Sequence, residues 1–149
     1  MKLPHYIQIS KDTEYGDSKL CRIRLNPKYK DDAGLIAHEY THVKQWYVGL
    51  LFGLVISLGV YFIFERADYT FLSLVLAPFW KGLAYTFIKP CRLFFEVAAF
   101  AKQISTAPKE HHEYYIKAYA GIITTNYNLS VKNEEVAEKL RVSILNHNN

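Results

Sequence analysis

The stretch HEYTHVKQWYVGLLFGLVISLGVYFIF, residues 38–64, combines a His-Glu-x-x-His pattern with a long apolar run. Nineteen of these residues, 46–64, carry no charge. At about 1.5 Å per residue they form roughly 28 Å of helix, close to the ~30 Å hydrocarbon core of a bilayer. The run begins with Trp46 and Tyr47, aromatic residues that suit a membrane interface. The stretch therefore predicts a long helix whose first turns differ in chemistry from the rest.

The HEYTH pentapeptide, residues 38–42, has the spacing of a zinc site. His38 and His42 lie four residues apart and share one face of a helix, so both imidazoles can bind the same ion. Glu39 is then placed to take a proton from a zinc-bound water, whose pKa falls from about 15.7 to about 7. Composition alone produces an accidental HExxH on the order of once per hundred chains. The rest of the sequence must therefore support the site.

A catalytic zinc site needs a third protein ligand and one open position. If the chain returns antiparallel to the zinc helix, the midpoint between His42 and Glu96 falls in the polar break 67–70, where a turn is expected. For Glu65 the midpoint lies near Gly53, where a turn would leave backbone groups unpaired inside an apolar run. Glu96 is therefore the favoured third ligand, and Glu65 is the alternative.

Other polar side chains are weaker candidates for the site. His111 and His112 are adjacent, so their rings point in different directions from a helix. Gln45 lies one turn from His42 and could orient its ring from the second coordination shell. Three tyrosines could donate to a developing oxyanion, although tyrosines at helical spacing more often belong to a core. These tyrosines are Tyr114, Tyr115 and Tyr119.

The remaining pattern predicts a single, mainly α-helical domain, 1–149, with a short N-terminal β-hairpin. Residues 5–10 and 19–26 read as two strands joined by the polar loop DTEYGDS, and the second alternates apolar residues with arginines. Asp31 or Asp32 can cap the zinc helix, which opens at about residue 33. Two C-terminal helices are expected, at about 108–125 and 134–145.

Three blocks of the chain resemble a family of small gluzincin-like HExxH proteins of bacteria and phages, described as zinc metallopeptidases. The blocks are HEYTHVKQW, RLFFEVAAFAKQ and YIKAYAGIITTNYNLSVKNEEVAEKL, within residues 30–141. The resemblance implies a minigluzincin-like fold and peptide or protein substrates. It also implies His38, His42 and Glu96 as zinc ligands, with Glu39 as general base. The segment between the first two blocks is longer and more apolar here than in that family.

The apolar segment 46–88 predicts a membrane hairpin. Basic residues precede and follow it (Lys44, Lys89, Arg92 and Lys102), whereas the loop ERADYT has one basic and two acidic residues. The positive-inside rule then places both termini in the cytoplasm and the zinc site just beneath the inner face of the membrane. Lys81 opposes this prediction, because a lysine near mid-membrane costs about 2.5–3.5 kcal/mol. The alternative is a soluble hairpin buried against the C-terminal helices or a second copy of the chain.

Composition excludes some classes of function. The net charge is +4 and no Lys/Arg run suggests nucleic-acid binding. Cys21 and Cys91 lie outside any CxxC pair and read as reduced thiols. The leading hypothesis is zinc-dependent peptide hydrolysis at a membrane, with the strand at 20–25 as a possible guide for an extended substrate. The alternatives are a soluble peptidase of narrow specificity and a non-enzymatic protein with an accidental or structural HExxH.

Overall fold

The fold is mainly helical, with a three-stranded sheet near the N-terminus, in a computed structural model that describes residues 3–65, 67–127 and 129–147. The strands are β1 (Tyr6–Ile9), β2 (Gly16–Lys19) and β3 (Arg22–Leu25). The helices are α1 (Ala33–Phe64), α2 (Ala67–Leu76), α3 (Trp80–Phe87), α4 (Lys89–Ile104), α5 (His112–Asn126) and α6 (Asn133–His147). The expectation of a mainly α protein with short N-terminal strands is confirmed.

The sheet differs from the predicted single hairpin. Its order is β1-β3-β2, with β1 parallel to β3 and β2 antiparallel to it. The predicted loop supplies β2, because a two-residue turn pairs Lys19 with Arg22 and closes a hairpin more locally than the distant β1 could. Arg24 holds the pairing by donating to both carboxylate oxygens of Asp17, at 2.8 and 2.6 Å. The two strands that were predicted to form the hairpin therefore lie side by side in parallel.

Helix α1 runs without a break from the sheet to the far end of the apolar run. Asp32 is its N-cap, since its Oδ1 accepts the Leu35 N–H at 2.9 Å. The first turns pack Val43 against Ile23 and Leu25 of β3. The helix ends at Glu65, which adopts a left-handed φ of 50°. One rigid element therefore carries both the HEYTH motif and the apolar run.

Glycines on α1 allow the returning chain to pack at backbone distance. A Cβ on Gly53 would lie 2.7 Å from the Ala77 Cα and 2.3 Å from the Trp80 Cδ1. Between α2 and α3 a 3-10 turn, Ala77–Phe79, contains Pro78, and the Trp46 Nε1–H donates to the Pro78 carbonyl at 2.8 Å. The Pro-containing irregularity is thus held against α1 by a hydrogen bond.

A sharp bend, and not a straight antiparallel return, brings α4 to the HEYTH motif. The turn comes at Glu65, earlier than the predicted break at 67–70. Gly53 lies opposite Ala77, and if the chain continued antiparallel in this register, about residue 88 would lie opposite His42. The chain instead turns by 101° between Ala67–Phe87 and Lys89–Ile104. Pro90 lies in the first turn of α4, where its fixed φ is tolerated. The bend carries Glu96 across α1.

The main hydrophobic core lies between α4, α5 and α6. Its fully buried members include Ile104, Ile123, Val136 and Leu140. α4 therefore packs against this core as well as against α1. Cys21 and Cys91 are both free and half-buried.

The hairpin formed by α1, α2 and α3 exposes apolar side chains on most of its surface. Within the described residues one helix, Ala33–Phe64, is long and apolar enough to cross a membrane. The most apolar window of that helix has a mean hydropathy of 2.3 and is only 11% buried. A core helix of a soluble protein can meet the same length and composition test, but it is usually mostly buried. Exposed members include Val48, Leu51, Val55, Phe62, Ile63, Phe71 and Leu72.

Candidate metal centre

His38, His42 and Glu96 meet in one buried cluster. One ligand atom from each lies within 4.8 Å of the others. The His38 Nε2 is 3.9 Å from the Glu96 Oε2, and the His42 Nε2 is 3.6 Å from the Glu96 Oε1. Tetrahedral zinc with bonds of about 2.0–2.1 Å needs ligand atoms roughly 3.3–3.4 Å apart. Small side-chain shifts would therefore give this cluster the geometry of a zinc site.

Gln45 fixes the His42 ring in the tautomer that a metal requires. Its Nε2 donates to the Phe95 carbonyl at 3.0 Å, so its Oε1 must face the ring. The His42 Nδ1 lies 2.8 Å from that Oε1 and therefore donates its proton to it. The Nε2 is left with a lone pair directed at the cluster. Gln45 thus contacts the His42 ring from one helical turn away, as its spacing in the sequence predicted.

Burial leaves two polar atoms of the cluster in need of a partner. The Glu96 Oε2 and the His38 Nδ1 are buried and make no hydrogen bond with any described residue. The other carboxylate oxygen, Oε1, accepts a hydrogen bond of 2.8 Å from the Tyr85 hydroxyl. A buried carboxylate oxygen without a donor is costly unless a cation or proton satisfies it. The donor set and the orphaned oxygen both fit a divalent metal ion.

The electrostatics keep both imidazoles in the metal-binding form. Burial, and then the neighbouring His42, lowers the pKa of His38 to about 3. Burial, and then the positive charge of Lys81, lowers the pKa of His42 to about 4. Burial also raises the pKa of Glu96, against the hydrogen bond from Tyr85 and the nearby hydroxyl of Tyr127. Both rings are therefore neutral near pH 7, as ligation requires.

Glu39 belongs to the same cavity but not to the ligand cluster. It is only 5% exposed, and burial raises the pKa of its carboxyl to about 7, against a hydrogen bond from Ser18 of β2. Gly16 lets β2 pack tightly against β3, since a Cβ there would lie 3.1 Å from the Leu25 Cδ2, and it lies at van der Waals range of Glu39, whose Cγ would be 3.4 Å from that Cβ. A carboxyl poised near neutrality beside a metal site is suited to carry a proton.

The cavity that holds the cluster has a volume of about 330 Å³. Beyond the cluster and Glu39, its lining includes residues that were not assigned to the site from sequence: Gly16, Asp17, Ser18, Lys81, Tyr85 and Tyr127. The Tyr127 hydroxyl faces Glu96 from the end of α5. Lys81 and Tyr85 had a signal in the sequence, because they are polar at i and i+4 within an apolar helix. Tyr127 and β2 had none, since only the fold brings them to the site.

The tyrosines proposed from sequence as oxyanion donors lie elsewhere. Tyr115 and Tyr119 line a separate cavity of about 130 Å³ near Asp32, and Tyr114 is 72% exposed. Tyr119 has an indirect connection, because its hydroxyl accepts a hydrogen bond from Gln103 at 3.1 Å. Gln103 in turn favours the protonated form of His38. The tyrosines that border the site are Tyr85 and Tyr127 instead.

The alternative ligands also lie outside the cluster. Glu65 caps the far end of α1, exposed and about 35 Å from His42 along the helix. His111 and His112 lie at the start of α5, where the His112 Nε2 is 3.0 Å from the Ala107 carbonyl. Among the described residues, the group of three possible ligands is His38, His42 and Glu96.

The arrangement can hold a divalent cation and place a proton acceptor beside it. The chain matches no protein-family model, no curated protein and no solved structure. The gluzincin resemblance therefore stays a prediction.

Proposed function

We propose that the protein is a membrane-attached zinc metallopeptidase of the gluzincin type. The observation that carries the proposal is the position of Glu39. This buried carboxyl shares the cavity of His38, His42 and Glu96, but it is not one of the three clustered ligands. A purely structural zinc site is closed by four protein ligands and has no use for such a group. Three ligands, an open cavity and a separate proton carrier favour hydrolysis.

The reaction follows from what the side chains can do. When bound, zinc acts as a Lewis acid toward the substrate carbonyl and lowers the pKa of water. Glu39 accepts a proton from the attacking water and delivers it to the leaving amine nitrogen. Tyr85 holds the Glu96 carboxylate at 2.8 Å, and Gln45 holds the His42 ring. The positive charge of Lys81 in the cavity wall favours the negative charge that develops on the carbonyl oxygen.

The substrate is proposed to lie along β2 and not along β3. The sequence suggested the strand at 20–25 as a guide, but β3 is the central strand and both its edges are paired. No described strand pairs with the outer edge of β2, and β2 borders the cavity through residues 16–18. An extended peptide added to this edge would pass the cluster with its backbone hydrogen-bonded.

The membrane part of the proposal rests on the exposed surface of the hairpin. Its apolar side chains would face water in a soluble protein, whereas a bilayer covers them without a protein partner. The main objection to a membrane hairpin was the cost of a lysine near mid-membrane. That objection is reduced, because Lys81 lines the cavity. Its Nζ lies over the rings of Tyr85 and Phe95, 5.2 and 5.8 Å from their centroids. Both termini are then cytoplasmic, with the site at the inner face of the membrane.

Metal content and hydrolysis test the catalytic part together. The purified protein is expected to bind about one zinc per chain and to hydrolyse fluorescein-labelled casein. Glu39→Gln should keep the zinc and lose hydrolysis, whereas His42→Ala should lose both. Equal hydrolysis by wild type and Glu39→Gln would refute the enzymatic proposal.

Carbonate extraction tests the membrane part. At alkaline pH an integral hairpin stays in the membrane pellet, whereas a peripheral or soluble protein is released. Recovery of the protein in the supernatant would rule out the inserted hairpin and favour the soluble peptidase.

A further inference from the structure

A second cavity joins the metal site to the base of the apolar hairpin. It measures about 690 Å³ and shares Ser18, His42, Lys81 and Gly82 with the cavity of the cluster. Its other walls include Leu20, Cys21, Trp46, Pro78 and Phe79. We call it the entry groove. Trp46, Pro78 and Phe79 belong to the apolar segment, so the groove leads from the ligands toward the proposed membrane.

Leu20 forms the rim of the entry groove in an unfavourable conformation. It occupies the first position of the two-residue turn between β2 and β3, with a left-handed φ of 55° and its side chain 48% exposed. Gly or Asn adopts that conformation more easily than residues such as Leu. The turn therefore presents an apolar side chain to the groove where a polar residue would be more stable. This points to an apolar ligand outside the folded chain.

Charge at the same turn suits a membrane surface. Lys19 and Arg22 flank the turn, line the groove and are both exposed. Basic side chains beside an apolar surface are attracted to the anionic lipids of the cytoplasmic leaflet. Along α1, His42 lies one turn, about 6 Å, from Trp46 at the start of the apolar run. The metal site is therefore within a few residues' reach of the bilayer.

We propose that the substrate is a polypeptide anchored in the same bilayer and cut just outside the cytoplasmic end of its apolar segment. This inference rests on the proposed hydrolysis and on the proposed membrane position. The end of the apolar segment lies in the entry groove against Leu20, Trp46 and Phe79. The residues that follow extend along β2 to the cluster. Water adds to the carbonyl carbon there, the C–N bond breaks, and Glu39 passes the proton to the leaving amine.

The test maps new protein N-termini in cell membranes and in the soluble fraction of the same cells. The membrane fraction is dissolved in detergent and reconstituted into vesicles together with the wild-type protein or Glu39→Gln, whereas the soluble fraction is added to vesicles that contain only the wild-type protein or Glu39→Gln. New termini that require Glu39 should be at least about tenfold more frequent in the membrane fraction, because confinement to one bilayer raises the effective concentration of substrate. They should cluster within about ten residues of the end of an apolar span, a reach set by the length of β2 and the groove.

Leu20→Asn tests the role of the entry groove in cleavage without disturbing the fold or the metal site. Asn tolerates the left-handed conformation, so the variant should keep its zinc and melt at or slightly above the wild-type temperature. Cleavage near apolar spans should fall about tenfold, since an apolar contact is lost. Leu145→Asn makes the same change at an exposed position of α6, away from the groove, and should cleave like wild type.

The outcomes distinguish the two levels of proposal. Termini that require Glu39 but are spread over soluble proteins would overturn the membrane-anchored substrate and leave hydrolysis standing. The same conclusion follows if Leu20→Asn and Leu145→Asn cleave membrane proteins equally. Absence of any terminus that requires Glu39 would overturn the proposed hydrolysis itself.

Discussion

Removal of the Glu39 charge should stabilise the metal-free protein at alkaline pH and not at acid pH. The pKa of this carboxyl is about 7 in the folded chain against 4.5 in its ordinary state. The folded state therefore binds more protons than the unfolded state between these values, and stability falls as pH rises through that range. A shift of this size corresponds to about 3 kcal/mol. Glu39→Gln has no such proton to lose.

The assay is chemical unfolding in detergent with a chelator, for wild type and Glu39→Gln, at pH 4.5 and pH 8. The variant's gain in free energy of unfolding over wild type should be larger at pH 8 than at pH 4.5, by about 3 kcal/mol. Glu113→Gln is the control with the opposite sign, since hydrogen bonds from Arg141 lower the pKa of that exposed carboxyl. If the free energy of unfolding depends on pH in the same way for wild type and Glu39→Gln, burial does not raise the pKa of Glu39. This conclusion would hold whether or not the protein hydrolyses peptides.

Three further predictions concern packing and the site. Gly53→Ala should destabilise the hairpin by about 3 kcal/mol, because its Cβ would meet the backbone of the returning chain. Gly59→Ala on the same helix should be neutral or slightly stabilising in thermal melts, because a Cβ there would meet no described atom within 4 Å beyond its neighbours in the helix. Gln45→Leu should weaken zinc affinity by roughly 10–100-fold in chelator competition while the fold is kept, because His42 loses its acceptor; unchanged affinity would contradict the tautomer argument. Tyr85→Phe should lower the rate of casein hydrolysis with less effect on zinc content than His42→Ala, since it removes a donor to Glu96 and not a ligand; loss of all zinc would contradict this role.

Local chemistry explains what the sequence could predict. The cap at Asp32, the spacing of His38 and His42, and the apolar run all act within one helix, where neighbours along the chain are neighbours in space. The mainly helical class follows from the same periodic patterns. β2 was missed because its sequence, GDSK, does not alternate apolar and polar residues. The strand borders the cavity and does not pack in a hydrophobic core. Its place in the sheet depends on a two-residue turn, which the pattern of the strands did not indicate.

Glu96 was reached from sequence by an argument that the fold only partly follows. A straight antiparallel return was assumed, with its turn at 67–70. The close pairing of Gly53 with Ala77 sets a different register, and the 101° bend before α4 compensates for it. That bend depends on packing of α4 against α5 and α6, which no local pattern encodes. Tyr127 faces Glu96 for the same reason, so it could not be predicted before α5 was placed.

The exposed hairpin is the feature that decides between a bilayer and a protein partner. A second copy of the chain would cover one face of each hairpin, because a two-fold interface uses the same patch on both molecules. The exposed residues do not form one patch: Phe52, Val55, Leu58, Tyr61 and Phe64 follow one another on α1 at three-residue intervals. At 100° per residue these positions point in several directions, which one partner face cannot cover. A bilayer would cover them all, and because α1 is continuous, the depth of the proposed membrane hairpin would then set the height of the candidate metal site above the lipid.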